Sequence, residues 1–383
     1  MRQWVSERRS VLEENSMLAL FASAKKYPDV INLSIGDPDL PTPKSILDAM
    51  YADCLLGHTK YTDPKGDPAL ITALQRFYSE EYGLALGADR LMVTPAACAG
   101  MYEVMQAVLD EGDEVLLFDP YFSFYAIQVK AAGGRPVCIP CLAEEGFLPN
   151  IRRAAAFITP RTKAMVINTP NNPTGACYEE DTLEALAAFA KEHDLLVISD
   201  DIYTDFCYET PFSPIIALPE MLNRTVSLGS FSKNFLMTGM RIGWIAAPPE
   251  VVRAVHQISE TIIYASPAPS QRAAVYALEH REELRAQIGP IFEARMLYAR
   301  RRIDALPYMT GCPCQGGFYL FPGIRPTGLS SMEACQFFLD KAHVLMLPGS
   351  IFGDAGEGHM RIACTQDVHK LGEAFDRLEK LTF

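Results

Sequence analysis

No run of apolar residues in this 383-residue chain approaches the ~18 needed to cross a bilayer. The opening stretch, MRQWVSERRSVLEENSM, is charged throughout and lacks the apolar centre of an export signal. Positive charge is scarce as well. The 34 Lys and Arg stand against 47 Asp and Glu, and the net charge of −13 argues against a nucleic-acid or anionic-membrane surface. No strand-like run leads into GxGxxG or GxxxxGK, which speaks against dinucleotide and P-loop nucleotide sites. These absences predict a cytoplasmic protein with no nucleic-acid and no membrane partner.

Cysteine is not scarce, but its partners are. Ten cysteines are scattered along the chain, and neither Cys138-x-x-Cys141 nor Cys312-x-Cys314 is followed by a second ligand pair at zinc spacing. The first pair lies in RPVCIPCL, a strand-like run in which an odd separation sends the two side chains to opposite faces. Reduced thiols packed as small hydrophobes are expected, and no metal.

What is present suits a packed enzyme. Hydrophobic residues make up 49% and charged residues 21%, enough to bury a sizeable core without staples. The length predicts two to three domains, or one large α/β body with an added lobe. Short, nearly continuous apolar runs recur: EVLLFDP (114–120), AMVINTP (164–170), LLVISD (195–200), TVSLGSF (225–231) and GWIAAP (243–248). Such runs suit strands covered on both faces of a parallel sheet. Helical patterns lie between them, over 98–112 and 179–194. In the second, acids lead and Lys191 and His193 close, as the helix dipole favours. The alternation predicts an α/β fold with a mostly parallel central sheet flanked by helices. After about residue 280 a long charged helical stretch, short strand-like pieces and a final helix predict a smaller α+β lobe.

In open α/β sheets ligands bind beyond the carboxyl ends of the strands. Here those ends carry Asn171-Asn172-Pro173-Thr174-Gly175, Asp200-Asp201-Ile202-Tyr203 and Ser230-Phe231-Ser232-Lys233, with Arg241 eight residues on. Singly, each has a plain structural explanation: NNPTG is a good turn, and a strand-end Asp is a common helix cap. Lys233 differs, because it follows a buried-looking strand among hydroxyls. Desolvation there would lower its pKa and free the amine to attack a carbonyl.

At these residues the chain resembles class I and II aminotransferases, the fold-type I enzymes that use pyridoxal phosphate. SFSKNFLMTGMRIGW resembles their cofactor-lysine motif. INLSIGDPDLPTP (31–43), HTKYTDPKGDPAL (58–70), NTPNNPTG (168–175), ISDDIY (198–203), QGGFYLF (315–321) and PGSIFGDAGEGHMRIACT (348–365) follow the family's order and approximate separations. The resemblance implies a large cofactor domain over 43–280 and a small domain made of 1–42 plus 281–383. It implies a Schiff base on Lys233, which then shuttles the substrate proton. It also implies Asp200 under the pyridine nitrogen, and Tyr203 and Asn172 on the cofactor's phenolic oxygen, leaving Asp201 a bystander. Arg241, Ser230 and Ser232 match phosphate ligands, joined by amides at the start of the 98–109 helix. There Ala97 and Cys98 stand where a Gly and a hydroxyl residue are common, so weaker cofactor binding is expected. Phe122 matches the aromatic that stacks on the pyridine ring. Tyr61 matches a residue that reaches the neighbouring subunit's phosphate, which implies a homodimer with shared active sites. Arg361 and the Gly36 amide match the grip on the substrate's α-carboxylate.

The expected activity is exchange of an amino group between an α-amino acid and a 2-oxo acid. A carbon–sulfur lyase of the same fold is the alternative, because the same carbanion chemistry can partition differently. A ligand-sensing regulator is disfavoured, because INLSIGDP begins near residue 31 and leaves no DNA-binding segment ahead of it. A nicotinamide oxidoreductase lacks its glycine fingerprint. Cys98 cannot bind a second carboxylate. Tyr121, Phe122, Tyr125 and Tyr264 are expected to line an apolar pocket for aromatic or aliphatic side chains.

Overall fold

A computed structural model describes Trp4 and residues 16–383; the rest of the charged opening stretch lies outside the described residues. The first strand, β1 (Ile31–Asn32), belongs to the C-terminal part of the fold. Seven strands then build the central sheet: β2 (Leu91–Thr94), β3 (Glu114–Asp119), β4 (Arg135–Pro140), β5 (Thr162–Asn168), β6 (Leu196–Asp200), β7 (Thr225–Ser230) and β8 (Gly243–Ala246). Their spatial order is β2-β8-β7-β6-β5-β3-β4. Every residue of β3 and β7 is buried, as expected for strands covered on both faces. One face packs on Met101, Val104 and Val255 from the helices Ala97–Val108 and Pro249–Ile262. The other face joins the larger core, which continues into the C-terminal elements.

The sheet is parallel except at β8, which runs antiparallel to both β7 and β2. An apolar run such as GWIAAP carries no sign of direction, so sequence alone could not show this. The cause is the link Phe231–Ile242, which turns back over the carboxyl edge instead of crossing to the far end. That turn holds both Lys233 and Arg241 at one end of the sheet. Register does the rest. Asn168 pairs with Asp200, and Ser230 pairs with Gly243, so the polar strand ends stand side by side.

Beyond residue 280 the helix Arg281–Asp304 leads to β9 (Tyr319–Leu320), β10 (Val344–Leu345), β11 (Leu347–Pro348) and β12 (Met360–Ala363). β12 lies between β11 and β9, antiparallel to both, while β10 pairs in parallel with β1 and ties the N-terminal segment to this region. The helix Ser331–Ala342 starts with a capping box between Ser330 and Glu333. The final helix, Val368–Leu378, is capped by Asp367. Among the described residues, no helix is long and apolar enough to cross a membrane.

Gly243 marks a tight backbone approach beneath the carboxyl edge. A Cβ there would lie 2.7 Å from Gly229 O and 2.8 Å from Ala97 N, both backbone atoms that cannot swing aside. Gly243→Ala is expected to destabilise the fold by about 1–3 kcal/mol, the usual effect of overpacking. Urea unfolding measures this, and an unchanged midpoint would contradict the packing.

Candidate active site

A cavity of about 450 Å³ opens at the carboxyl ends of β5, β6 and β7, under residues of β1, β9, β11 and β12 and their loops. Lys233, Asp200, Tyr203, Asn172, Ser230, Ser232, Arg241, Ala97, Cys98, Phe122, Gly36 and Arg361 all border it. Tyr61 does not. It is 85% exposed and packs edge-on against Tyr264, with ring centroids 5.2 Å apart.

Asp200 closes the floor at the end of β6. Its Oδ2 accepts a hydrogen bond from the Tyr125 hydroxyl, its carbonyl accepts one from Asn168 Nδ2 at 2.8 Å, and its buried Oδ1 has no partner. Burial pushes the carboxyl up to about 7, helped by Asp201, while the Tyr125 bond and Lys233 pull the other way. A buried, half-satisfied carboxylate is costly unless a donor meets it. Its free oxygen fits the protonated ring nitrogen of a pyridine.

Lys233 lies in the single turn Phe231–Asn234 after β7, and its Nζ donates to Gly36 O at 2.6 Å. Burial lowers its pKa to about 8; Arg241 and Arg361 push the same way, against Asp37 and Asp200. At pH 7 about a tenth of the amine is therefore in its neutral, nucleophilic form, a few hundred times more than an ordinary lysine offers.

The anion cradle lies where the helix Ala97–Val108 begins. The first amides of a helix have no intrahelical acceptor, and its dipole is positive there. Gln128 Nε2 holds the start by donating to Cys98 O at 3.0 Å. Ser230 and Ser232 are buried beside it, and Ser230 Oγ accepts from Ser232 N at 3.1 Å. Arg241 adopts φ +51° and donates to Thr238 O at 2.7 Å. These donors fit a phosphate.

Arg361 rises from β12 and is buried rather than paired on the surface. Its Nη1 donates to Asn172 Oδ1 at 3.0 Å, its Nη2 donates to Ser34 O, and its Nε has no partner. The rings of Tyr319 and Phe352 lie 4.5 and 4.8 Å from the guanidinium. Burial holds its pKa below the usual arginine value. The Tyr203 hydroxyl donates to Tyr319 Oη at 3.2 Å.

The structure corrects the expected aromatic pocket. Phe122 and Tyr125 line the cavity, but Tyr121 and Tyr264 do not. The Tyr121 hydroxyl lies 3.4 Å from Cys138 Sγ, because adjacent side chains in an extended turn diverge. Asp201 accepts from Ser199 Oγ and Ser227 Oγ at 2.5 Å each, which makes it a buried structural anchor. Cys138 is exposed and Cys141 buried, as opposite faces require. Cys141, Cys177, Cys312, Cys335 and Cys364 pack as buried hydrophobes, but Cys98 and Cys138 are exposed. Sequence reasoning assigned no role to Tyr319 or Phe352, although both lie in motifs it singled out. It also missed the bond from Tyr125 to Asp200, which no spacing rule signals.

This architecture, with a lysine and an aspartate at the carboxyl edge of a mostly parallel sheet, is that of the fold-type I transferases. Residues 28–378 match the family aminotransferase class I and II, and the chain belongs to that family. It is 34% identical to an aspartate aminotransferase of Pyrococcus horikoshii, over 99% of this chain and 97% of the relative. It is 36% identical to aromatic-amino-acid aminotransferase 2 of Thermococcus litoralis, over 98% of each. The aspartate aminotransferase of Thermus thermophilus solved with maleate superposes with a TM-score of 0.94, at 33% identity, over 99% of this chain and 100% of that one. The chain is an aminotransferase, and enzymes of this class depend on pyridoxal phosphate. The relatives' names support transamination and lend nothing to the lyase alternative.

The raised Asp200 pKa has a consequence for stability. Without ligand, the folded state keeps this proton up to about pH 7, whereas the unfolded chain releases it near 3.8. The contribution is therefore fully present below about pH 3.8 and lost progressively as pH rises from there to about 7, by at most about 4 kcal/mol in all. In protein stripped of ligand, Asp200→Asn is expected to raise the melting temperature more at pH 8.5 than at pH 5.5. Parallel pH dependence in both proteins would contradict this.

Proposed function

We propose that this cavity holds pyridoxal 5′-phosphate, attached to Lys233, and that the enzyme exchanges an amino group between an α-amino acid and a 2-oxo acid. The supporting observation is the buried, unpartnered Oδ1 of Asp200 in the same cavity as the lowered-pKa amine of Lys233. When bound, the cofactor supplies a protonated ring that takes up the electrons released as the substrate's α-carbon loses its proton. Asp200 holds the ring-nitrogen proton. Lys233 would bind the cofactor's aldehyde carbon and would serve as the base that takes the substrate's α-proton. The amides of Ala97 and Cys98 with Ser230, Ser232 and Arg241 hold the phosphate. Asn172 and Tyr203 hold the phenolic oxygen, and Phe122 covers the ring. Arg361, with the Gly36 amide, fixes the substrate carboxylate.

The same reading assigns exposed Tyr61 to the phosphate of a second subunit, in a cytoplasmic homodimer with shared active sites. It divides the chain into a cofactor domain over 43–280 and a small domain formed by 1–42 and 281–383. For the substrate side chain, Phe21, Ile35 and Phe124 offer apolar surface. Among the described residues, the cations of the cavity are Lys233, Arg241 and Arg361, each already assigned. Aromatic and aliphatic amino acids are the substrates this favours.

Lys233→Ala is expected to remove the visible absorbance of the lysine-bound cofactor and to lower turnover at least ~10³-fold, because nucleophile and base are lost together. Unchanged transamination by this variant would overturn the assignment. A panel of amino acids with a common oxo acid tests the side-chain preference. Turnover confined to aspartate and glutamate would contradict it.

A further inference from the structure

We propose that Asp119 is a positioning residue: it clamps the turn Gly353–Gly356 onto the end of β3 and so holds Phe352 in place beside Arg361. Asp119 is the last residue of β3 and is 3% exposed. Its Oδ2 accepts a hydrogen bond from Ala355 N at 3.2 Å. Two residues on, Tyr121 N donates to Phe352 O at 2.8 Å. Residues 119–121 and 352–355 are thus joined along a seam between the central sheet and the C-terminal region. Gly353 lets them meet. Its φ of +123° is a glycine conformation, and any Cβ there would run into the Asp119 carboxylate.

The cavity walls lie directly beside this seam. Phe122 follows Tyr121 on one side, and Phe352 ends the turn Gly349–Phe352 on the other; both border the cavity. Phe352 packs against the Arg361 guanidinium. Releasing the turn would therefore loosen the wall that orients Arg361.

A simple turn cap does not explain the choice of residue. Asn would accept the same amide without bringing a charge into the core, and Asp119 Oδ1 is buried with no partner. Burial pushes the carboxyl up to about 6, against the pull of the Ala355 amide; the Asp354 charge adds to the rise and its amide opposes it. A carboxylate in that position makes the stronger, charge-assisted bond to the turn. Clamp strength is what the charge adds.

This inference rests on the reading of Arg361 as the substrate-carboxylate grip. The test measures steady-state constants of the holoenzyme for Asp119→Ala, Asp119→Asn and Arg361→Ala, with the cofactor absorbance band as a check on site occupancy. Asp119→Ala is expected to raise KM for the amino acid about tenfold, with kcat changed less than about threefold and the band intact. Asp119→Asn should recover only part of the loss, leaving KM about threefold above wild type, because it keeps the acceptor but gives up the charge. If Arg361→Ala raises KM and neither Asp119 variant does, the clamp is wrong and the grip stands. If Arg361→Ala leaves KM unchanged, the underlying reading fails. A purely structural Asp119 would lower the active fraction, and so kcat, without moving KM; that outcome also overturns the proposal. Should Asp119→Ala fail to fold, the KM of Asp119→Asn decides, a wild-type value counting against the clamp.

Discussion

Unmatched charge under burial is the constraint on which this structure turns. Asp200, Lys233 and Arg361 are all withdrawn from water, and none forms a direct ion pair with another. Each shifts toward neutrality: the carboxyl up to about 7, the ammonium down to about 8, the guanidinium below its ordinary value. Such a site is unstable on its own terms, and the surrounding core must offset it. Strands buried on both faces, such as β3 and β7, supply that reserve. A ring N–H would satisfy the free oxygen of Asp200 and a carboxylate the free Nε of Arg361, so binding and stability are linked.

Topology decides which residues share the cavity. Parallel β5, β6 and β7 end together, and their register places Asn168 beside Asp200. β8 then reverses, and its reversal matters more than its hydrogen bonds. Because the link from β7 to β8 turns at the carboxyl edge, Lys233 and Arg241 stay within one loop system instead of being separated by the height of the sheet. Gly243, packed against Gly229 O and Ala97 N, lets the helix start Ala97–Val108 settle close above that loop. Removing side-chain bulk at one residue brings the anion cradle and the lysine into one cavity.

Much of this was legible in the sequence. The runs EVLLFDP, AMVINTP, LLVISD and TVSLGSF became β3, β5, β6 and β7 because continuous apolar stretches with polar ends have few other homes. The polar ends named Asp200 and Lys233 for the same reason. What stayed hidden depends on direction and distance. GWIAAP reads the same whichever way its strand runs. Tyr121 and Phe122 are adjacent aromatics, and only the path of the turn decides that one faces Cys138 and the other the cavity. The Tyr125 bond spans 75 residues and the Asp119 seam 236, separations at which no local pattern survives.

If the proposed phosphate sits at this helix start, the departure at Ala97-Cys98 would cost it little. A missing hydroxyl would remove one neutral donor, worth on the order of 1 kcal/mol, or about a fivefold loss in affinity. The helix amides do not depend on side-chain identity, and the partial positive charge at the helix start remains. Arg241 can add paired, charge-assisted bonds, each stronger than the one lost. Gln128 Nε2 holds Cys98 at its carbonyl, at 3.0 Å, and also reaches its Sγ at 3.6 Å, which fixes the start of the helix. A cradle built mainly from backbone can therefore lose its hydroxyl and keep its anion, whereas a shift of the helix start itself, such as bulk at Gly243 would force, withdraws several donors at once.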